Sequence, residues 1–461
     1  MGHPDPKDER IAELEALLAK ALARIAELED QLNKNSKNSS KPPSTDLPGT
    51  PRSRKEPSGR KPGGQPGHSK HQRAFLKPDR VIPVQPKACS CCGGPLHCDD
   101  IEPERHQVIE MPKVKPDVTD YLLYSGSCDH CGHVTRAELP LGVPSRGFGP
   151  RLSAVVSLCS GKYRLSKRLI QSILADLLGV DLSLGSVCNL EQEMSASLAV
   201  PVEEVAAHVK HQKVANADET GWFEGRSNGR AGRAWLWVVT TAAVTLFHIA
   251  RSRGADVAQR LLGKSFAGRL GTDRWGAYSF IEPKRRQLCW AHLDRDFEGF
   301  IDRNDAGAPI GGALLRESRR MFRYWHRIRD GTLTRIAFQH RMKPVRSRIL
   351  SLLHKASVCP ASKTAGMAKE ILKLKDALFT FVDHEGIEPT NNVSERKVRQ
   401  GVMWRKTSFG TQGPKGSRFV ERILTADATL RQQNRDVLDF LTDAYSARLF
   451  RRMPPSLLPA L

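Results

Sequence analysis

No stretch of the 461 residues reaches the roughly 18 to 20 uncharged apolar positions that a membrane-spanning helix needs. The polar N-terminus also lacks the apolar core of a signal peptide, so the sequence reads as a soluble cytoplasmic protein with no membrane partner. Acidic residues are in short supply as well: 50 Asp and Glu stand against 72 Lys and Arg, a formal charge of +22. An excess of that sign favours a polyanion over a small neutral ligand, with nucleic acid ahead of an acidic membrane surface. Disulfides are not expected in a compartment that keeps thiols reduced, so the ten cysteines are read first as metal ligands. The length exceeds one ordinary domain and fits about three, at roughly 100 to 200 residues each.

What is present begins with a heptad pattern. Ile11, Leu14, Leu18, Ala21, Ile25, Leu28 and Leu32 alternate steps of three and four, an a/d seam with Glu, Lys and Arg largely on the other faces. Residues 1–33 are therefore expected to form a coiled-coil helix, parallel or antiparallel, that joins copies of the chain; the alternative is an amphipathic helix packed on its own domain. Residues 34–85 then turn to Asn, Ser, Lys, Pro and Gly, with twelve Lys or Arg against three acids from Lys34 to Arg80. Such a segment buries too little apolar surface to offset its ordering entropy and is expected to be a basic disordered linker, either following a phosphate backbone or simply solvated.

Two C-x-x-C pairs follow, Cys89 with Cys92 and Cys128 with Cys131, each succeeded by a glycine, Gly93 and Gly132. Thiolates that turn around one tetrahedral ion on a tight backbone knuckle have this spacing, so residues 86–140 are expected to be a zinc ribbon holding a structural Zn²⁺. Val108–Glu110 and Val118–Tyr124 have strand-like composition, and His97, Cys91, Cys98 and His130 are spare ligands. Residues 145–205 resemble a helix-turn-helix: Leu165, Leu169, Ile173 and Leu177 repeat at helical spacing, Gly179 can end that helix, and Ser183 or Ser186 can cap the next. Arg164, Lys167 and Arg168 would then be available for phosphates, although plain packing fits the same pattern.

From residue 210 the order is strand, hairpin, helix, strand. A short apolar run ends at Asp218; Ala234–Thr240 and Ala243–Ala250 form a hairpin; a helix lies near Asp256–Leu262; and Gly268–Thr272 leads into Asp273. Gln287–Trp290 and the residues after it add a strand and a helix. This is the order of a ribonuclease-H-like sheet, in which the first and fourth strands are neighbours, so Asp218 and Asp273 can meet. Carboxylates placed there suit two Mg²⁺ (or Mn²⁺) ions that activate an attacking oxygen and stabilise a leaving one. For a third acid the candidates are Asp294, Asp296, Glu385, Glu388 and Glu395. Glu395 opens a helix after a loop, but Asn392 and Glu395 also have capping-box spacing, and spacing alone does not choose between the two uses.

Several of these pieces occur together in one known family. The N-terminal heptads, the Asn-Ser-Lys-Asn-Ser-Ser-Lys-Pro-Pro-Ser-Thr-Asp stretch ending at Asp46, Gly63–His68, both cysteine pairs, Asp218-Glu219-Thr220, Asp273, Cys289-Trp290-Ala291-His292 and Asn391-Asn392-Val-Ser-Glu395-Arg396 are all present, as are Trp404-Arg405-Lys406 and Ser408-Phe409-Gly410. Over nearly its whole length the chain resembles the insertion-sequence-sixty-six family of bacterial transposases. The resemblance implies an Asp-Asp-Glu transposase with the triad Asp218, Asp273 and Glu395, and a helical insertion that fits the 122-residue separation of the last two (395 − 273). One departure is Asp294, where similar members carry Arg; Arg295 is the nearest substitute.

The whole expectation is a multidomain α+β protein: coiled-coil helix, zinc ribbon, helical DNA-binding region, and an α/β catalytic core (210–305 and 385–461) interrupted by a helical insertion (306–384). It would bind the ends of an insertion element in double-stranded DNA, nick by metal-dependent hydrolysis and join the 3′-hydroxyl to target DNA, as a nucleoid-associated homo-oligomer working alone or with accessory element-encoded proteins. His292, Arg396, Arg399, Arg405 and Lys406 are the expected phosphate contacts, the arginines for their bidentate geometry. The rival is a non-catalytic DNA-binding regulator, for which the three acids would be incidental.

Overall fold

The computed structural model of the chain describes residues 6–39, 73–96, 102–227 and 230–459. Most of the expected 34–85 linker, with Asp46 and Gly63–His68, lies outside the described residues, as do His97 and Cys98. Among those described are fourteen α-helices and seven β-strands, a mixed α+β protein that opens on a helix. No helix among the described residues is long and apolar enough to cross a membrane. The described residues fall into two units, one drawn from 49–116 and the other from 1–48 and 117–461.

In the smaller unit, Gln107 bonds both the N–H (3.0 Å) and the C=O (2.8 Å) of Leu76 with its side-chain amide. The Arg105 guanidinium lies 4.7 Å over the Phe75 ring. Cys89–Gly94 forms a tight knuckle in which Gly93 N–H donates to Cys89 O and Cys89 N–H to Gly94 O, both at 2.9 Å. Among the described residues, the strands expected at Val108–Glu110 and Val118–Tyr124 are not formed.

The larger unit begins with α1 (Pro6–Asn33). Its a/d seam faces solvent throughout, from Leu28 at 42% exposed to Leu32 at 71%, so the alternative of packing against its own domain does not hold among the described residues. Residues 34–39, expected to be disordered, instead form a hydrogen-bonded turn. Asn38 Nδ2 donates to Asn33 O (2.9 Å), closing the turn, and to Asp302 Oδ2 (2.8 Å), anchoring it. A second cysteine knuckle, Cys128–His133, sits between β1 (Ser125–Ser127) and β2 (Val134–Arg136), which pair antiparallel.

Next, α2 (Pro150–Gly161), α3 (Lys167–Leu178) and α4 (Leu184–Ser197) enclose a small core of Val156, Ile170, Leu174, Leu182, Val187 and Leu190. Gly179 ends α3 at φ 64° and Ser183 caps α4, as expected. The buried face of α3, however, is Ile170 and Leu174; Leu169 and Leu177 point outward, 53% and 67% exposed. A repeat of four leucines and isoleucines fixes helical period but not which side of the stripe meets a neighbour. Helix α5 (Ala199–Val209) leads into the main sheet.

That sheet has five strands in the order β5-β4-β3-β6-β7. Strands β3 (Val214–Ser227), β4 (Arg230–Thr240) and β5 (Thr245–Ala250) are antiparallel neighbours, and α6 (Ala255–Leu262) crosses back to β6 (Arg269–Thr272), which pairs parallel to β3. Strand β7 (Arg286–Leu288) is parallel to β6, and α7 (Trp290–Asp302) follows directly, so the expected strand at Gln287–Trp290 is shorter and gives way to helix at Trp290. The first and fourth strands of this order are indeed adjacent. After α7 come α8 (Ala308–Arg329), α9 (Arg335–Ser357), α10 (Ser362–Lys373) and α11 (Thr380–Asp383), then α12 (Asn392–Ser408), α13 (Pro414–Gln432) and α14 (Val437–Leu449).

Both sheet edges are closed by side chains, which removes the unpaired backbone groups an edge would offer. On β5, the N–H groups of Thr245, Phe247 and Ile249 donate to Thr429 Oγ1 (3.1 Å), Thr425 Oγ1 (3.0 Å) and Glu421 Oε1 (2.5 Å). Alternate strand residues advance about 6.6 Å and every fourth helix residue about 6.0 Å, so α13 keeps step with the strand. On β7, Gln287 accepts from Phe381 N–H (2.9 Å), and Thr380 Oγ1 donates to Arg286 O (2.5 Å). The segment before α12 thereby fastens the helices α8–α11 to β7. Those helices share a core with β7 and α7 through Leu288, Trp290, Phe297, Phe300, Trp325, Phe338 and Phe381, separate from the core on the β3–β4–β5 side.

Candidate active site

Asp218 was expected at the end of a short strand, but β3 runs straight through it for 14 residues. Its neighbour β6 is the short one: pairing stops at Asn216↔Gly271, and Asp218 and Asp273 each lie two residues further on, side by side where β6 ends. Strand alternation sends Asp218 to one face and Glu219 to the other. The Asp218 carboxyl is held well above the usual carboxylate range, first by burial and then by the negative charges of Glu219, Asp273 and Glu395. Among the described residues, the one hydrogen bond to that carboxylate comes from Glu219 N–H (2.9 Å). Three acids from distant parts of the chain therefore share one electrostatic site.

Asp273 is held by a framework that the sequence did not reveal. Beneath it, the buried Arg286 guanidinium donates to Asp273 O (3.1 Å) and Thr272 Oγ1 (3.2 Å). Its own Oδ1 accepts from Trp275 N–H (2.8 Å), shaping the loop after β6. The Trp275 ring stacks on Arg253 (3.9 Å), which also lies 4.6 Å over Trp235. Arg253 in turn pairs with Glu219 Oε1 (2.7 Å), and Tyr278 O–H donates to Glu219 Oε2 (2.7 Å). Glu219, whose side chain is 1% exposed, is thus the hub that braces the Asp273 loop from beneath the sheet. Its signal was visible in Asp218-Glu219-Thr220, where strand alternation sends two adjacent acids to opposite faces of the sheet.

Glu395 lies in the first turn of α12. The capping-box reading fails: the N-cap is Asn391, whose side chain makes no capping bond and instead donates from Nδ2 to Ala217 O (2.8 Å). Glu395 Oε1 faces Cys289 Sγ (3.5 Å) and His292 Nδ1 (3.4 Å). Cys289 Sγ also accepts from Asn391 N–H (3.2 Å). Donor atoms of Cys289, His292 and Glu395 lie within 4.8 Å of one another, a set that could hold a metal ion. Burial pushes the Cys289 thiol up to about 12, with the charge of Glu395 adding to it, so on its own it is a thiol that donates to the carboxylate. Burial, then Arg295 and Arg274, hold the His292 imidazole down to about 3, so near neutral pH it offers a phosphate only a neutral donor.

Of the other expected phosphate contacts, Arg396, Arg399 and Lys406 are exposed on α12. Arg405 is turned inward, donating to Gly221 O (2.5 Å). Asp294 faces α8 beside Arg319, and burial pushes its carboxyl up to about 6. Lys167 in the helical region is taken up by an ion pair with Glu191, while Arg168 is exposed. The two cysteine knuckles repeat one geometry, Gly93 at φ 72° and Gly132 at φ 70°, conformations that glycine adopts without strain. In each, backbone N–H groups two and three residues on lower the first thiol, Cys89 or Cys128, below its ordinary value.

Comparison with known proteins places most of this site within one alignment. A family model described as "Transposase IS66 family" matches residues 147–418, and one described as "Family of unknown function (DUF6444)" matches residues 3–74. Among curated proteins, the chain is similar to the uncharacterized protein y4hP of Sinorhizobium fredii, 23% identical over 82% of this chain and 75% of the relative. Protein y4qI of the same organism is 25% identical over 61% of this chain and 56% of its own length, and y4jD is 23% identical over 72% and 68%.

Proposed function

The chain belongs to the Transposase IS66 family, and on that footing we propose that it is an Asp-Asp-Glu transposase whose triad is Asp218, Asp273 and Glu395. A transposase role makes DNA its partner. The observation that carries the finer reading is the raised Asp218 carboxyl: burial and three neighbouring acids disfavour its charge, as in a site built to receive cations. Hard oxygen donors of this kind fit Mg²⁺ or Mn²⁺, held by Asp218, Asp273 and Glu395. When bound, such ions supply Lewis-acid activation of the attacking oxygen and charge stabilisation of the leaving one.

In this reading the sheet is ribonuclease-H-like, with 306–384 as its helical insertion. The chain's own contribution is placement. Asn391 fixes α12 to the residue before Asp218, Arg286 and Trp275 fix Asp273, and Cys289 steadies Glu395 by donating to it. Exposed Arg396, Arg399 and Lys406 bind flanking phosphates of the element ends. Water then attacks one phosphodiester to free a 3′-hydroxyl, which attacks target DNA in turn, with no covalent enzyme intermediate. The thiols of Cys89 and Cys92 and those of Cys128 and Cys131 are suited to structural Zn²⁺, and α1 joins copies of the chain.

The decisive experiment incubates purified protein with duplex carrying its element ends in Mg²⁺ or Mn²⁺. Nicked and joined products are expected from the wild type. Asp218→Asn is expected to bind the ends and leave them intact; cutting by that variant would overturn the triad.

A further inference from the structure

We infer that Cys289, His292 and Glu395 form a site for a thiophilic divalent cation, Zn²⁺ by preference, and that its occupancy withdraws Glu395 from the Asp-Asp-Glu set. The second half rests on the proposed triad; the first does not. Cys289 is the N-cap of α7 and His292 lies in its first turn, three residues on, so the two side chains share one face. Glu395 reaches them from the first turn of α12. Backbone contacts hold these two helix starts together. His292 N–H donates to Cys289 O (3.0 Å), Trp290 N–H to Pro389 O (3.0 Å), and Asn391 N–H to Cys289 Sγ (3.2 Å).

The spacing of the donors is that of a tetrahedral ion. With Zn–S about 2.3 Å and Zn–N and Zn–O about 2.0 Å, sulfur and oxygen ligands stand about 3.5 Å apart, and nitrogen and oxygen ligands about 3.3 Å. Here Sγ lies 3.5 Å and Nδ1 3.4 Å from Glu395 Oε1, and all three donors are within 4.8 Å of one another. Nδ1 of His292 is buried and, among the described residues, makes no hydrogen bond, so nothing else claims that nitrogen. Sulfur and imidazole together select Zn²⁺ over Mg²⁺, which takes oxygen ligands and keeps its waters. On binding, Cys289 Sγ gives up its proton to solvent in exchange for the metal bond. Thiolate and carboxylate then cancel the charge of the ion, which suits a position where Cys289 is 1% exposed. Glu395 is also one of the negative charges that bear on Asp218. Once neutralised by Zn²⁺, it no longer draws Mg²⁺ to the triad.

The test uses the full chain without DNA, freed of metal by chelation and titrated with Co²⁺, whose thiolate charge-transfer band reports sulfur ligation. The two cysteine knuckles contribute alike to every variant and cancel in the difference. Wild type is expected to bind one more equivalent than Cys289→Ser, His292→Ala or Glu395→Ala, and Asp218→Asn to match wild type. Glu395, with its side chain 31% exposed, is the position of the three where substitution least disturbs packing. Equal uptake by wild type and Glu395→Ala would overturn the site, as would loss of the extra equivalent in Asp218→Asn, which would assign the ion to the triad. The competition is read by the electron spin resonance of Mn²⁺. Zn²⁺ beyond that needed to fill the knuckles is expected to release Mn²⁺ from wild type. Mn²⁺ retained beside that Zn²⁺, or released equally in Cys289→Ser by direct exchange at the carboxylates, would overturn the withdrawal of Glu395. A chain that takes up Co²⁺ as expected but binds no Mn²⁺ would overturn the triad as a cation site and the competition with it, and the thiolate site would stand.

Discussion

Asn391 donates to the carbonyl of Ala217 at 2.8 Å, with both residues buried, and so joins the helix that carries Glu395 to the strand position beside Asp218. The bond spans 174 residues of sequence, including the whole of α8–α11. Replacing Asn391 by Ala leaves a buried acceptor without that donor, a loss of about 1–3 kcal/mol. Denaturant unfolding should show that loss, and strand cleavage should fall much more than affinity for DNA. Equal loss of both would mean that Asn391 acts on the fold alone.

The Glu219–Arg253–Tyr278 cluster makes a prediction of the same kind on the opposite side of the sheet. Glu219→Gln breaks an ion pair whose acid is buried and whose arginine is partly open, and should cost about 3 kcal/mol. Tyr278→Phe removes one buried bond and should cost about 1–2 kcal/mol. Since Trp275 stacks on the same arginine, its fluorescence should report the loosening of the Asp273 loop before global unfolding does.

Asp294 has a pH signature. Its folded carboxyl titrates at about 6 against an ordinary 3.8, so between those values the folded state holds more protons than the unfolded one. Stability from this group is therefore complete below pH 3.8 and is lost as pH rises toward 6, by at most about 3 kcal/mol. Asp294→Asn should be more stable than wild type at pH 7.5, and the advantage should vanish near pH 4. An advantage that did not change with pH would assign the effect to packing.

Cation binding should be visible without any reaction. Because the three acids repel one another, Ca²⁺ or Mg²⁺ at about a hundred times its dissociation constant should stabilise the fold by about 2.7 kcal/mol, and EDTA should reverse it. In Asp218→Asn the repulsion is partly relieved, so the protein without added cation should melt higher than wild type and gain little from Ca²⁺.

Much of the site was legible because strand order is written locally. The hairpin, α6 and β6 follow from apolar runs and their breaks, and their order makes Asp218 and Asp273 neighbours. The length of β3 was not legible: Glu219, Gly221, Glu224, Gly225 and Arg226 break any alternation, and the strand persists because β4 pairs with it and because its acids find arginines elsewhere. Glu224, for instance, meets Arg251 at 3.0 Å. Glu219, Arg253, Tyr278 and Arg286 escaped notice for a related reason. Their partners lie 34 and 59 residues away in the case of Glu219, and a lone buried charge has no periodicity. Which side of α3 is buried, Ile170 and Leu174, was not legible because a helical repeat does not say where its neighbour stands. Glu395 needed the family resemblance, since its spacing from Asn392 also fits a capping box and only the structure, with Asn391 as N-cap donating to Ala217 O, removes that use.

At Gly299 on α7, a methyl group would sit 2.7 Å from the carbonyl oxygen of Asn38. The turn that follows α1 therefore rests directly on the backbone of the helix whose other end bears His292. An N-terminal stem transplanted from a relative would seat only on a recipient that keeps glycine there and an acceptor at Asp302, so the joint is a matched pair of surfaces and not a freely interchangeable tether.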